Sequence, residues 1–183
     1  MLAFLKQYLK NPRTVGAIAP SGRGLALKMM EPIDFDHARC IVEYGPGTGA
    51  FTRELVKRKR RGTRLILIEQ NEEFYRMMRD KYDGKRNISV IYGSAEDACS
   101  YIQRAGVQYV DYVVSGLPFT SLPKDVSIRI FKATRKLIGK KGRFVTFQYT
   151  LIKKKFFESY FRFENRLFEL KNLPPAYVFV LRK

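Results

Sequence analysis

The 183-residue chain contains one histidine, two cysteines and no tryptophan. With His37 alone, histidine-rich metal chemistry is excluded, and a Ser-His-Asp triad is argued against. Cys40 and Cys99 are far apart and form no CxxC pair, so neither a disulfide framework nor a zinc site is implied. No apolar run approaches the ~20 residues that a membrane-spanning helix needs. The opening "MLAFLKQYLKNPR" lacks a basic start, a long apolar stretch and a small-residue cleavage site. A secretory signal is therefore not expected, and the protein is expected to stay in the cytoplasm. Acid is also scarce: 17 Asp+Glu stand against 35 Lys+Arg, a formal charge of +18. Such an excess favours a polyanionic partner, either nucleic acid or an anionic membrane surface. The plainer alternative is a basic soluble protein with no special partner, and composition does not choose among these.

The chain is 45% apolar and 14% aromatic, which is globular, and its length suits one domain with a full core. Apolar runs alternate with amphipathic ones. "RCIVEYG" (39–45), "TRLILIEQ" (63–70), "NISVIYG" (87–93), "VDYVVSG" (110–116) and "RFVTFQYT" (143–150) read as strands. "AFTRELVKRKR", "NEEFYRMMRDKY", a short helix from Ala95 to about Arg104, and "DVSIRIFKATRKLI" read as the helices between them. Alternation of this kind predicts an α/β fold with a parallel sheet covered by helices on both faces. The closing "RFENRLFELKNLPPAYVFVLRK" predicts two strands in an antiparallel hairpin, making a seven-stranded, mostly parallel sheet.

Directly after the first strand comes "EYGPGTG", with glycines at 45, 47 and 49 and Glu43 two residues before the first. A dinucleotide fingerprint needs two residues between its second and third glycines, and this G-x-G-x-G spacing does not fit it. It resembles motif I of S-adenosylmethionine-dependent methyltransferases, and seven strands ending in an antiparallel pair are the layout of the Rossmann-like class I enzymes of that kind. On this resemblance Glu43, Gly45, Gly47 and Gly49 bind cofactor, with Gly45 and Gly47 letting the backbone pass close beneath it. Glu69 ends the second strand and, with Gln70 after it, is expected to bind cofactor, since a carboxylate there accepts hydrogen bonds from ribose hydroxyls. The third strand ends in "VIYGSAEDA", where such enzymes place an acid for the adenine amino group. Ser94 and Ala95 occupy that place, and Glu96 or Asp97 supplies an acid nearby, or else simply charges a helix N-terminus.

"DYVVSGLPF" (111–119) bears on the acceptor. Ribosomal RNA adenine dimethylases read Asn-Leu-Pro-Tyr/Phe here, and Leu117-Pro118-Phe119 matches while Gly116 stands where the asparagine would be. Ser115 replaces that asparagine only by a one-residue shift. Over nearly its whole length the chain resembles the small soluble bacterial phospholipid N-methyltransferases, through "NPRTVGAIAPSGRGLA", "EYGPGTGAFT", "SGLPF" with "SLP" after it, and "NLPPAYVF". The chain ends at residue 183 without the helical domain that the dimethylases usually add, which is expected to favour lipid over RNA.

The resemblance implies an N-methyltransferase acting on phosphatidylethanolamine-type headgroups, peripheral on the inner face of the membrane; the alternative is an rRNA adenine N6-methyltransferase. A protein that binds cofactor or RNA without turnover is the third reading. Residues 1–30 are expected to form an amphipathic, cofactor-covering segment, with Leu2, Leu5 and Leu9 on one side and Lys6 and Lys10 on the other, ahead of a methyltransferase domain at 31–183. Ser115 and Gly116 are expected beside the cofactor. Arg13, Ser21, Arg23, Leu117 and Pro118 are expected to contact substrate. Tyr149, Tyr44 and Phe119 are the candidates to orient or deprotonate the amine, or to face the developing ammonium by cation–π attraction. No metal is expected.

Overall fold

The structure, a computed structural model, describes residues 22–170, 172 and 174–183. It begins with α1 (Arg23–Met30) and β1 (Cys40–Tyr44), then α2 (Ala50–Arg58), β2 (Arg64–Glu69), α3 (Glu72–Tyr82) and β3 (Ile88–Tyr92). A single 3₁₀ turn (Ala95–Asp97) leads into α4 (Ala98–Arg104), followed by β4 (Val110–Ser115) and α5 (Lys124–Leu137). The chain closes with β5 (Ile138–Gln148), α6 (Lys154–Glu158), β6 (Arg162–Glu169) and β7 (Ala176–Arg182).

The strands form one sheet in the order β3-β2-β1-β4-β5-β7-β6. The first five in that order run parallel, and β7 is antiparallel to both its neighbours. Every residue of β1 is buried, as is all of β2 after Arg64, because central parallel strands are covered on both faces. This is the expected Rossmann-like α/β sheet. Two details differ from the sequence expectation. β5 starts at Ile138, taking in the "IGKKG" stretch that reads as a helix end, and β7 returns between β5 and β6, so β6 is the edge strand.

Side chains alternate between two apolar layers. Ile41, Leu65, Leu67 and Val114 face Leu25, Met29 and Met30 of α1, Phe51 and Leu55 of α2, and Met78 of α3. Val42, Tyr44, Ile66, Ile68 and Val113 face Ile102 of α4, Ile130 and Phe131 of α5, and Phe157 of α6. In the second layer Phe131 stands 5.0 Å from Phe119, 4.8 Å from Phe157 and 5.4 Å from Phe161, centroid to centroid. Such ring pairs contribute about 0.5–1.5 kcal/mol each beyond the area they bury.

α1 is thus part of the core through Leu25, Ala26, Met29 and Met30. Leu2, Leu5 and Leu9, for which an amphipathic segment is expected, lie outside the described residues, as do Arg13 and Ser21.

Strand order places the site. From β1 the chain moves outward to β2 on one side, while β4 pairs with β1 on the other. The order therefore switches direction between β1 and β4, and in open α/β sheets ligands bind at the carboxyl ends of the strands at such a point.

Candidate cofactor and acceptor site

Register brings the strand ends into one row, with Tyr44 opposite Ile68 and Ser115, and Glu69 opposite Tyr92. The glycine loop leaves this row with Gly45, Gly47 and Gly49 all at positive φ, +62°, +54° and +81°. That region costs residues with a Cβ roughly 1–2 kcal/mol, so the alternation of left-handed residues is what the G-x-G-x-G spacing supplies. The expected collision beneath a ligand takes a different form. A Cβ on Gly45 would sit 2.7 Å from Leu117 Cδ2, whereas one on Gly47 would meet nothing within 4 Å. Gly47 is required for its φ and leaves open space above it. Gly49 caps α2, where a Cβ would lie 3.1 Å from Met78 Cε.

Glu69 is nearly buried, and its carboxylate fastens two loops. Oε2 accepts from Gly47 N at 3.0 Å, and Oε1 accepts from Asn71 N at 2.8 Å. Each oxygen keeps a lone pair for another donor. Burial raises the Glu69 pKa, opposed by the backbone N–H groups of Asn71, Gly47 and Gln70. Asn71 also caps α3, its side chain accepting from Phe74 N at 2.9 Å. Its place just before "EEF" is a readable N-cap signal that the sequence reading did not use. Gln70 is exposed beside this acid.

Glu43 is fully buried, and Thr52 of α2 donates to its Oε2 at 2.8 Å. Its Oε1 meets no hydrogen-bond partner among the described residues. Burial pushes the carboxyl up to about 8, and the neighbouring Glu69 charge adds to that while Thr52 opposes it. The proton is therefore held in the folded chain and lost in the unfolded one between pH 4.5 and about 8. Across that window folding becomes progressively less favourable as pH rises, and above it the penalty is constant. Glu43→Gln removes this titration. Its melting temperature is expected to gain on the wild type steadily from pH 5 to pH 8, in parallel thermal unfolding scans of the cofactor-free protein. A gap independent of pH would mean that Glu43 is ionised in the fold.

At the end of β4, Gly116 N donates to Tyr44 O at 2.9 Å and Leu117 N to Ser115 Oγ at 3.2 Å. A Cβ on Gly116 would lie 2.7 Å from Gly45 O. The two loops touch backbone to backbone, leaving no room for a side chain at the asparagine position. Leu117 and Pro118 are half-buried at this edge. Ser94 accepts from Glu96 N at 3.2 Å and so caps the 3₁₀ turn, with Ala95 buried behind it. Glu96 is ion-paired to Arg129 of α5, which turns this acid toward the helix. Gly93 has a necessity that the sequence did not announce, since a Cβ there would overlap the Tyr101 hydroxyl at 2.1 Å.

Two of the proposed amine-facing rings are elsewhere. Tyr44 is the last residue of β1 rather than part of the loop, and its fully buried ring reaches Thr134 of α5, whose hydroxyl donates to Tyr44 Oη at 3.4 Å. Alternation along β1 dictates this, because Glu43 faces α2 and its neighbour must face the other layer. Phe119 is 0% exposed among Phe131, Phe144 and Phe157, so it packs and does not face a substrate. Tyr149 remains at the edge, half-buried with its ring 5.4 Å from Phe147. Arg23 is the exposed first residue of α1. Lys153, unremarked as a site residue, donates to Phe119 O at 2.6 Å and so anchors the Leu117–Phe119 loop from the β5–α6 connection. Burial lowers its pKa.

S-adenosylmethionine would bring a ribose diol and a cationic ammonium. The residues present fit both: the spare lone pairs of Glu69 suit the diol, and Glu43, neutral in the cofactor-free fold with one oxygen unpartnered among the described residues, would supply the counter-charge once a nearby cation favours its ionised form. Among the described residues no group of three or more His, Cys, Asp or Glu is placed to hold a metal.

Comparison with known proteins identifies relatives in sequence and in fold. A family model described as ribosomal RNA adenine dimethylase matches residues 3–101. An ornithine lipid N-methyltransferase of Singulisphaera acidiphila is 30% identical over 98% of this chain and 94% of its own length. A ribosomal RNA small subunit methyltransferase A of Phenylobacterium zucineum is 30% identical over 79 residues, 43% of this chain and 26% of that protein. Among solved structures, an O-methyltransferase from Bacillus cereus in complex with SAH shares the fold. It has a TM-score of 0.67 at 15% identity and covers 100% of this chain and 90% of that one.

Proposed function

We infer the acceptor from one premise: the chain belongs to the ribosomal RNA adenine dimethylase family of S-adenosylmethionine-dependent methyltransferases. Our proposal is that it methylates the amine of a membrane-lipid headgroup, of the phosphatidylethanolamine or amino-acid lipid kind. The observation that carries this reading is Gly116. Its backbone lies against Gly45 O too closely for any side chain, so the adenine-holding asparagine of the dimethylase pattern has no place here. The full-length similarity to a lipid N-methyltransferase supports the same choice.

When bound, the cofactor supplies an electrophilic methyl group on a sulfonium. The chain's own part is binding and alignment, and positioning two reactants can supply most of the acceleration in such a transfer. Glu69 would hold the ribose hydroxyls, Glu43 and the Gly45–Gly49 loop the methionine end, and Ser94 and Ala95 the adenine edge. Ser115 and Gly116 would lie beside the cofactor, with Leu117 and Pro118 walling the acceptor side. The headgroup amine is a protonated ammonium at neutral pH and must lose that proton before its lone pair can attack. Tyr149 is the candidate to orient it. Arg23, with Arg13 and Ser21, would meet the anionic part of the headgroup.

RNA adenine is the second reading, supported by the family model and the formal charge of +18. Purified protein with labelled S-adenosylmethionine is offered vesicles containing phosphatidylethanolamine, vesicles containing an ornithine lipid, and ribosomal RNA. Label is expected in a lipid fraction alone. Label in RNA alone would overturn the proposal.

A further inference from the structure

The edge of the sheet that carries the site also carries the two most exposed large aliphatic side chains among the described residues. Gln148, at the end of β5, pairs with Tyr177, which pairs with Phe168 of β6. β5 and β6 therefore end at the same edge as β1, β2 and β4, the edge of Glu69 and Ser115. Just past those ends stand Ile152, 86% exposed, and Leu170, 72% exposed. Isolated exposed apolar residues need no explanation, but these two follow the ends of β5 and β6 at one edge of the sheet, with β7 between those strands and β5 next to the strand that carries the acceptor loop. Ile152 leads directly into Lys153, Lys154 and Lys155. Lys153 reaches back to Phe119 O, so this tip is tied to the Leu117–Phe119 loop. Lys154 pairs with Glu158, and Lys155 is exposed. The aromatic residues of the same stretch turn inward instead, Phe157 and Phe161 buried in the core and Phe156 and Tyr160 half-buried against it.

The opposite pole differs in kind. The starts of β1, β2 and β3 gather Arg39, Arg60, Arg61, Arg64, Lys85 and Arg86, all exposed. None of the exposed large apolar side chains comes from these segments. That pole attracts anions, and the exposed ring it carries, Tyr109 just ahead of β4, ends in a polar hydroxyl rather than an aliphatic tip.

We propose that the site-bearing edge is a docking surface for an anionic lipid bilayer, with Ile152 and Leu170 entering the acyl boundary and exposed Lys155 meeting the headgroups. Aliphatic tips beside an exposed lysine suit the depth profile of such an interface. No helix among the described residues is long and apolar enough to cross a membrane, so contact is made at the surface. Docked this way, the Leu117–Pro118 wall opens toward the plane of the headgroups. The proposal rests on the lipid reading above and gives it an orientation.

The test uses the full chain and sedimentation with vesicles of phosphatidylglycerol and phosphatidylethanolamine. Ile152→Glu/Leu170→Glu is expected to weaken vesicle binding at least tenfold, because each tip buries a full aliphatic side chain. Arg60→Glu/Arg61→Glu, at the far pole, is expected to leave it within about threefold, since screened charges act over only ~10 Å. Methylation of phosphatidylethanolamine dispersed in detergent micelles is expected to be unchanged in the Ile152/Leu170 variant. Equal vesicle binding by that variant and the wild type would overturn the proposal, as would loss of binding in the Arg60/Arg61 variant or binding of RNA in place of vesicles. If the wild type binds vesicles through Ile152 but methylates no lipid in either form, the docking surface stands and the acceptor reading fails.

Discussion

Gly116→Asn, the substitution that completes Asn-Leu-Pro-Phe at 116–119, is expected to weaken S-adenosylmethionine binding at least tenfold and to confer no methylation of RNA adenine. The Cβ it adds would lie 2.7 Å from Gly45 O, a distance that real Cβ atoms essentially never show. That oxygen belongs to backbone held from three directions. Gly45 N is bonded to Ile68 O at 2.9 Å, the residue sits at φ +62°, and Leu117 Cδ2 covers its other side. The clash cannot be relieved by turning a side chain, so one loop must move. Overpacking of this kind costs about 1–3 kcal/mol, and about 1.4 kcal/mol is already a tenfold change in affinity. Titration calorimetry with S-adenosylmethionine measures the loss directly. Gly116→Ala carries the same Cβ and is expected to lose about as much, which separates crowding from any effect of the amide. An asparagine variant that keeps its cofactor affinity and methylates RNA would remove the reason for preferring lipid.

The glycine loop shows which parts of this site were legible in the sequence. A buried apolar strand, three glycines at alternate positions and a following amphipathic helix are local signals, and each maps onto one backbone requirement. The acid at the end of β2 is legible for the same reason, because strand, loop and helix lengths fix which residue stands at the sheet edge. Tyr44 was readable but misread. Once Glu43 is assigned to the α2 layer, period-two alternation sends Tyr44 to the α5 layer. Phe119 was not readable, since the turn at Gly116–Pro118 breaks the alternation and nothing local says whether the next ring points to cleft or core.

Contacts between distant segments were the least accessible. Thr52 lies nine residues from Glu43, and Lys153 lies 34 residues from the Phe119 carbonyl that it holds. Neither pairing follows until the helices are placed on the sheet. The same holds for "LIKKKFF", where packing separates buried Phe157 from exposed Ile152 although both are apolar.

Glu69 tests whether the cofactor reading holds at its most specific point. Glu69→Ala removes the acceptor for Gly47 N and Asn71 N together with the carboxylate proposed for the ribose diol. Hydrogen bonds to a charged partner contribute about 1.5–3 kcal/mol each, so losing the diol contacts is expected to raise the cofactor Kd on the order of a hundredfold. Loop loosening alone would also weaken binding, and the two causes are separable. A cofactor analogue lacking the ribose 2′-hydroxyl should bind the wild type more weakly than S-adenosylmethionine does, yet bind Glu69→Ala no more weakly. In that double cycle the coupling between residue and hydroxyl is the quantity of interest, because loop effects are common to both ligands and cancel. Equal penalties for the analogue in both proteins would leave Glu69 as a fastener of the Gly47 and Asn71 loops, with the ribose held by another group.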